Sequence, residues 1–331
     1  MTERAAGGGG SSGGVGRPDG AGGPGGPALG FGLPVSGAWA RPDVIRTVAR
    51  RAEELGYASL WTYQRLLVPA DEDWGPQYRS VMDPLVALAF AAAVTERVRL
   101  GVAVVNAPFV PPALLAKQAA TLDVLSAGRL DLGLGLGWAP SEFAALGVPF
   151  ERRAARLEEA VAVLRALWAP DPVSITGEFS DVAPARFDPK PVQSPRPPLL
   201  LGGTAEPALR RAGRIADGWI SSSRQDLAAI GSAVGIIRTA AEEAGRDPGA
   251  LRFVVRGVVS LGEEIADGGL RRPLSGDADA IRADLADLGA QGVTEVFLDL
   301  NFSPRAGSPD VDPAAALDHA TEVLESLAPS S

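Results

Sequence analysis

The chain has no cysteine, a single histidine and only two lysines, Lys117 and Lys190. The missing cysteines exclude disulfides, a thiolate nucleophile, iron–sulfur clusters and zinc–thiolate sites. The one histidine, His319, lies in the last helical pattern, where a surface or core role is expected rather than a His-based metal site or a Ser-His-Asp triad, and no metal is expected. Positive charge is also short: the net charge is −9, with 31 Lys+Arg against 40 Asp+Glu. A nucleic-acid or anionic-membrane partner needs a basic face, so neither is expected. No run approaches the ~18 apolar residues that span a bilayer. The Gly-rich stretch 1–28 lacks the apolar core of a secretory signal. It has too little apolar surface to order itself, so a disordered tail and a cytoplasmic protein are expected.

What is present is a hydrophobic fraction of 46% with 21% charged residues over 331 positions, enough to bury a large core. From residue 29 onward short apolar runs alternate with amphipathic stretches. The runs Leu29–Leu33, Ser59–Thr62, Arg99–Val105, Leu130–Leu136, Leu199–Leu201, Gly218–Ser221, Phe253–Ser260 and Glu295–Leu300 are almost continuously apolar. That is the pattern of parallel strands covered on both faces. Helical periodicity follows each: Pro42–Leu55, Pro84–Val94, Pro112–Leu125, Arg153–Trp168, Glu206–Ile215, Leu227–Ala244, Asp277–Leu288 and Pro313–Leu327. Eight βα units in strict alternation predict one α/β domain over 29–331, a (β/α)₈ TIM barrel. Two insertions interrupt it. One, Leu66–Val81, follows strand 2; the other, Ala169–Pro198, lies between helix 4 and strand 5. Loops this long tend to be lids or binding loops.

The segments able to carry chemistry sit at strand ends. Gly202-Gly203-Thr204 closes strand 5 just before a helix, where bared backbone N–H groups suit a phosphate. A plain turn with Thr204 as N-cap is the bland alternative. Gly133-Leu-Gly135-Leu-Gly137-Trp138 lacks the glycine spacing of a dinucleotide fingerprint. Its glycines serve either a flat ligand approaching the backbone or close strand packing. Ser221-Ser222-Ser223 offers hydroxyls, and Asn106 a polar group at the end of strand 3. Arg65, just past strand 2, suits a ligand anion or a polarised carbonyl; an ion pair with Asp71–Asp73 competes with that role. No acid/base pair of carboxylates stands out.

Several of these segments recur in a known order. Asp83-Pro84-Leu85-Val86-Ala87-Leu88-Ala89, Thr95-Glu96-Arg97-Val98-Arg99-Leu100-Gly101, Thr121-Leu122-Asp123, Leu125-Ser126-Ala127-Gly128-Arg129-Leu130, the 133–138 glycine run, Pro191-Val192-Gln193, Gly202-Gly203 and Ala216-Asp217-Gly218-Trp219 together resemble the luciferase-like monooxygenase family, in its coenzyme F420-type branch. The resemblance covers about residues 29–300. It implies FMN or, preferably, the deazaflavin coenzyme F420 at the C-terminal mouth of the barrel. Gly202 and Gly203 then match the phosphate turn, with Ser222 as a further donor, and Thr204 is taken with them as the next residue of the turn. Ala103-Val104 matches a non-prolyl cis peptide behind the flavin ring. Ser141 matches a position where the family often has a polar ligand to the cofactor; Asn106 and Gly137, at the ends of strands 3 and 4, are taken with it as cofactor-binding candidates. Two departures stand out. Gln64-Arg65 replaces the Asp-His found in many F420-dependent members, and Trp138 replaces a glutamate acid. Arg65 and Trp138 are therefore the candidates next to the reaction. The expected activity is hydride transfer with F420, or FMN-dependent monooxygenation, on a small organic substrate, in a possible homodimer. A non-catalytic flavin-binding barrel and a phosphate-substrate lyase or isomerase are the competing functions.

Overall fold

The computed structural model describes residues 26–267 and 269–329. The expected tail, 1–28, falls almost wholly outside them. Eight parallel strands close into a barrel: β1 (Ala28–Gly32), β2 (Ser59–Thr62), β3 (Arg99–Asn106), β4 (Leu130–Gly135), β5 (Leu199–Gly202), β6 (Gly218–Ile220), β7 (Arg252–Val258) and β8 (Glu295–Asp299). Each pairs with its chain neighbours, and β8 closes on β1 through Leu29 opposite Val296. The outer ring comprises α1 (Pro42–Glu54), α2 (Pro84–Ala92), α3 (Pro112–Leu125), α4 (Pro140–Leu146), α5 (Arg153–Trp168), α6 (Glu206–Ile215), α7 (Ile230–Glu243), α8 (Ala278–Ala290) and α9 (Pro313–Ser326). The expected (β/α)₈ barrel is the observed architecture. Prolines at the starts of α1, α2, α3 and α9 suit a first turn that has no N–H partner to lose. Asp83 caps α2 by accepting from Val86 N. No described helix is long and apolar enough to cross a membrane.

Local departures have local causes. The short α4 was not expected, because seven residues are too few to show a helical period. The segment 169–198 is not irregular throughout: Val173–Thr176 and Asp181–Ala185 form an antiparallel hairpin. The seventh apolar run, Phe253–Ser260, splits. The barrel strand ends at Val258, and Ser260–Leu261 pairs instead with Ser275–Gly276 outside the barrel. An apolar run reports burial, not which sheet it joins.

The inside of the barrel is lopsided. With side chains alternating along each strand, β2, β5, β6, β7 and β8 point large apolar groups inward at mid-barrel, and β1, β3 and β4 make room for them with glycine. A Cβ on Gly101 would lie 2.4 Å from the Trp61 ring, and one on Gly32 2.6 Å from Asp299. Trp61 stacks on Phe297 at 5.2 Å, within an inner cluster with Ala103, Leu200, Ile220 and Val254. Below this layer lies a buried ionic plug. Arg252 donates to Asp131 Oδ1 and Glu295 Oε2, each at 2.8 Å, and Arg99 Nε to Asp131 Oδ2 at 2.9 Å. Desolvation pushes the Asp131 carboxyl up, but Arg252 and Arg99 prevail and lower it to about 2. The bottom of the barrel is thus sealed, and only its upper end is left for ligands.

Candidate active site at the barrel mouth

The upper rim is assembled from the C-terminal ends of the strands. At β3 the ladder to β4 breaks register between Val102 and Val105, and the Ala103–Val104 peptide is cis. Val104 turns into space left by two glycines: a Cβ on Gly135 would meet it at 2.4 Å, and one on Gly202 at 3.3 Å. A Cβ on Gly133 would strike the Val102 carbonyl at 2.1 Å. Gly133 and Gly135 therefore serve close packing; the room beside them is already filled. Gly137, at φ +73°, backs onto Phe143 and Phe109. Arg256 on β7, absent from the sequence reading, donates through Nη2 to the Ala103 carbonyl. Its guanidinium lies over Phe302 at 4.9 Å and Tyr63 at 5.2 Å, with Nε 3.5 Å from Asp299. An arginine inside a strand run gives no signal by itself; only barrel closure aims it at β3.

The Gly202–Gly203 turn leads straight into α6. Gly203 has φ +142°, and a Cβ there would lie 2.5 Å from Ala208 Cβ. Its carbonyl accepts from Trp219 Nε1 at 2.8 Å. No described group accepts from the N–H groups of Gly203, Thr204, Ala205 or Glu206. The N-cap is Ala205, without a side-chain bond, so Thr204 is not the cap; its side chain is exposed. Ser222 Oγ accepts from Arg224 N at 3.1 Å, while Ser221 is spent on Arg256 N at 2.9 Å. Ser141 Oγ on α4 is shielded from solvent and has no partner. Asn106 is buried; its N–H donates to Gln64 Oε1 at 2.8 Å, and its side-chain amide pairs with no described residue. A buried hydroxyl without a partner and a glycine turn with free N–H groups are features that a polar, phosphate-bearing ligand would satisfy. The residues present fit such a group. Exposed Glu206, in the first turn of α6, is an opposing charge.

Arg65 is not paired with Asp71–Asp73. It is buried, and Nη1 donates to Glu142 Oε2 of α4 at 2.9 Å. Glu142 Oε1 also accepts from Leu66 N at 2.7 Å, which ties the loop after β2 to α4. The guanidinium is faced by Trp138 at 4.6 Å, Tyr78 at 5.1 Å and Trp74 at 5.2 Å. Desolvation lowers the Arg65 pKa, and Glu142 opposes that shift. Groups that a phosphate lyase or isomerase would need are elsewhere. Lys117 binds the Asp188 carbonyl, Lys190 pairs with Asp171 at 2.7 Å, and His319 is buried in α9. Two surface clefts, of about 370 Å³ beside Glu158 and Arg210 and about 500 Å³ behind Trp74, include neither Gly203 nor Ser141. The described residues hold no His/Cys/Asp/Glu group able to bind a metal.

Many of the segments that carried the resemblance prove to be scaffolding. Asp123 accepts from Val192 N, Gln193 N and Gln193 Nε2, at 2.6–3.0 Å. Arg129 donates to the carbonyls of Ala92, Thr95 and Val98. Asp217 takes Leu199 N at 2.7 Å and pairs with Arg196. A family model described as luciferase-like monooxygenase matches residues 19–268. The chain belongs to the luciferase-like monooxygenase family. Among its relatives is an uncharacterized protein of Mycobacterium tuberculosis, 34% identical over 245 residues, covering 71% of this chain and 82% of the relative. An FMNH2-dependent dimethylsulfone monooxygenase of Pseudomonas putida is 32% identical over 60% of this chain and 53% of its own length. An F420-dependent glucose-6-phosphate dehydrogenase of Amycolatopsis mediterranei is 33% identical over 56% and 55%. A monooxygenase from Streptomyces bottropensis shares the fold, with TM-score 0.72 at 24% identity over 90% of this chain and 98% of that one.

Proposed function

We propose that this luciferase-like protein is an oxidoreductase that holds coenzyme F420 at the barrel mouth and acts on a small organic substrate. One observation carries the reading. The unpartnered N–H groups of the Gly203 turn, the orphaned Ser141 hydroxyl and the free Asn106 amide all stand at or just past the C-terminal ends of neighbouring barrel strands, where Val104 packs on Gly135 and Gly202. Gly202, Gly203, Thr204 and Ser222 would hold the phosphate. Ala103-Val104 would back the ring, with Arg256 fixing the Ala103 carbonyl. Asn106, Gly137 and Ser141 would border it.

When bound, F420 supplies two-electron hydride chemistry; the protein supplies binding, orientation and electrostatics. Two carboxylates near the rim are committed, Glu142 to Arg65 and two backbone N–H groups, and Asp299 to Asn301, so neither stands ready to move a proton. FMN is the second reading, supported by the Pseudomonas putida relative and by a rim without a proton-handling pair. Titrating the full chain with F420 and with FMN, followed by fluorescence quenching, tests both. Saturable quenching of F420 at lower concentration than FMN is expected; binding of neither removes the redox reading.

A further inference from the structure

Arg65 has more hydrogen-bonding capacity than its partners use. Its side chain is 5% exposed. Nη1 is spent on Glu142, Nε is shielded and makes no hydrogen bond, and no described residue accepts from Nη2. Glu142 is satisfied at the same time, by Arg65 and the Leu66 and Leu67 N–H groups. The pair thus keeps spare donors. Buried donors normally find acceptors, and a guanidinium has five in a fixed fork. The surroundings define the acceptor. Trp74, Tyr78 and Trp138 face the guanidinium, and Trp138 is 50% exposed, so this aromatic wall meets solvent beside Arg65. Trp74 and Trp138 lie 4.6 Å apart, and the aromatic wall continues through Tyr78 to Phe302 at 5.6 Å.

We infer that Arg65 is the substrate-binding donor of this protein. A flat, conjugated molecule lies against this aromatic wall, and the unpartnered Nη2 of Arg65 donates to its carbonyl oxygen. A neutral carbonyl suits the site better than a carboxylate, because Glu142 at 2.9 Å already offsets the guanidinium charge. This assignment rests on the redox reading only for its location, since the substrate of a mouth-bound cofactor must reach the same rim.

The test is isothermal titration of the full chain with 1-acetonaphthone and with its oxygen-free isostere 1-ethylnaphthalene. The native protein is expected to bind the ketone at least ~10-fold more tightly, as hydrogen bonds to charged groups do. Replacing the pair together, Arg65→Met with Glu142→Gln, leaves no buried charge and should bring the two affinities within about threefold. Trp138→Ala should weaken both probes alike, by ~5-fold or more. Should the double variant fail to fold by circular dichroism, Arg65→Lys decides: it keeps the charge, loses the fork and should lose most of the ketone preference. Equal affinity of the native protein for both probes, binding of neither, or a ketone preference that survives the loss of Arg65 overturns the assignment. F420 titration of the same samples is read separately. Its failure removes the redox reading and leaves a measured ketone preference standing.

Discussion

The ionic plug at the bottom of the barrel makes a quantitative demand on stability. Asp131 is fully buried between Arg99 and Arg252 and titrates at about 2 instead of 3.8. A carboxyl whose pKa falls on folding stabilises the native state above its unfolded value, and that stability is lost as pH falls through the folded one. The window is therefore roughly pH 4 down to pH 2, and at ~1.4 kcal/mol per unit the contribution is about 2–3 kcal/mol. Asp131→Asn removes that charge at every pH and leaves Arg99 without its carboxylate, so a loss of roughly 3–5 kcal/mol near pH 7 is expected. Denaturant unfolding of both proteins at pH 7, 5 and 3 reads both effects. The native protein should weaken on going to pH 3 by more than the variant does. A variant within 1 kcal/mol of the native protein at pH 7, or equal acid sensitivity of the two, would refute the ion-pair account.

Three further outcomes follow from the geometry. Gly133→Val places a side chain against the Val102 carbonyl, 2.1 Å from its Cβ, and should cost about 3 kcal/mol or more in denaturant unfolding; a neutral effect would mean that β3 and β4 part easily. Asn301→Ala strips acceptors from Val35 N and Ser36 N and a donor from the Leu33 carbonyl, so a loss of roughly 3–5 kcal/mol is expected, with faster amide exchange after β1. Thr204→Glu adds charge on an exposed side chain beside the Gly203 turn. It should weaken F420 binding by ~10-fold at low salt and by less at high salt, without lowering Tm; unchanged affinity would place the phosphate elsewhere. Gly203→Asp is a poorer probe, since Gly203 at φ +142° packs on Ala208 and any side chain there disturbs the turn.

The candidate site was legible to unequal degrees. The Gly202-Gly203 turn stood out because glycine before a helix is a local signal, and the structure puts it on the rim. The glycines of β4 stood out equally but did something else. Gly133 and Gly135 make room for the Val102 carbonyl and Val104, neighbours that exist only once β3 and β4 are paired. Arg65 was visible as a charge after a strand, but its partner Glu142 is 77 residues away and the acids at 71–73 were closer in sequence. Arg256 and the Asp131 plug were invisible, because charges inside apolar runs carry no local mark of where they point.

By itself the sequence determined the elements and their order. Apolar runs, helical periods and proline starts are set by neighbours a few residues away, and eight alternating units leave a closed parallel barrel as the economical solution. It also determined, by lacking cysteine and having one histidine, which chemistries are closed to this chain. Tertiary structure alone decided which inward groups meet. Barrel closure sets large residues such as Trp61, Ile220 and Asp299 against glycines of β1, β3 and β4, plugs one end with ions, and leaves unpartnered N–H and O–H groups at the other. Those pairings join residues far apart in the chain, and their energies depend on burial that no local pattern records.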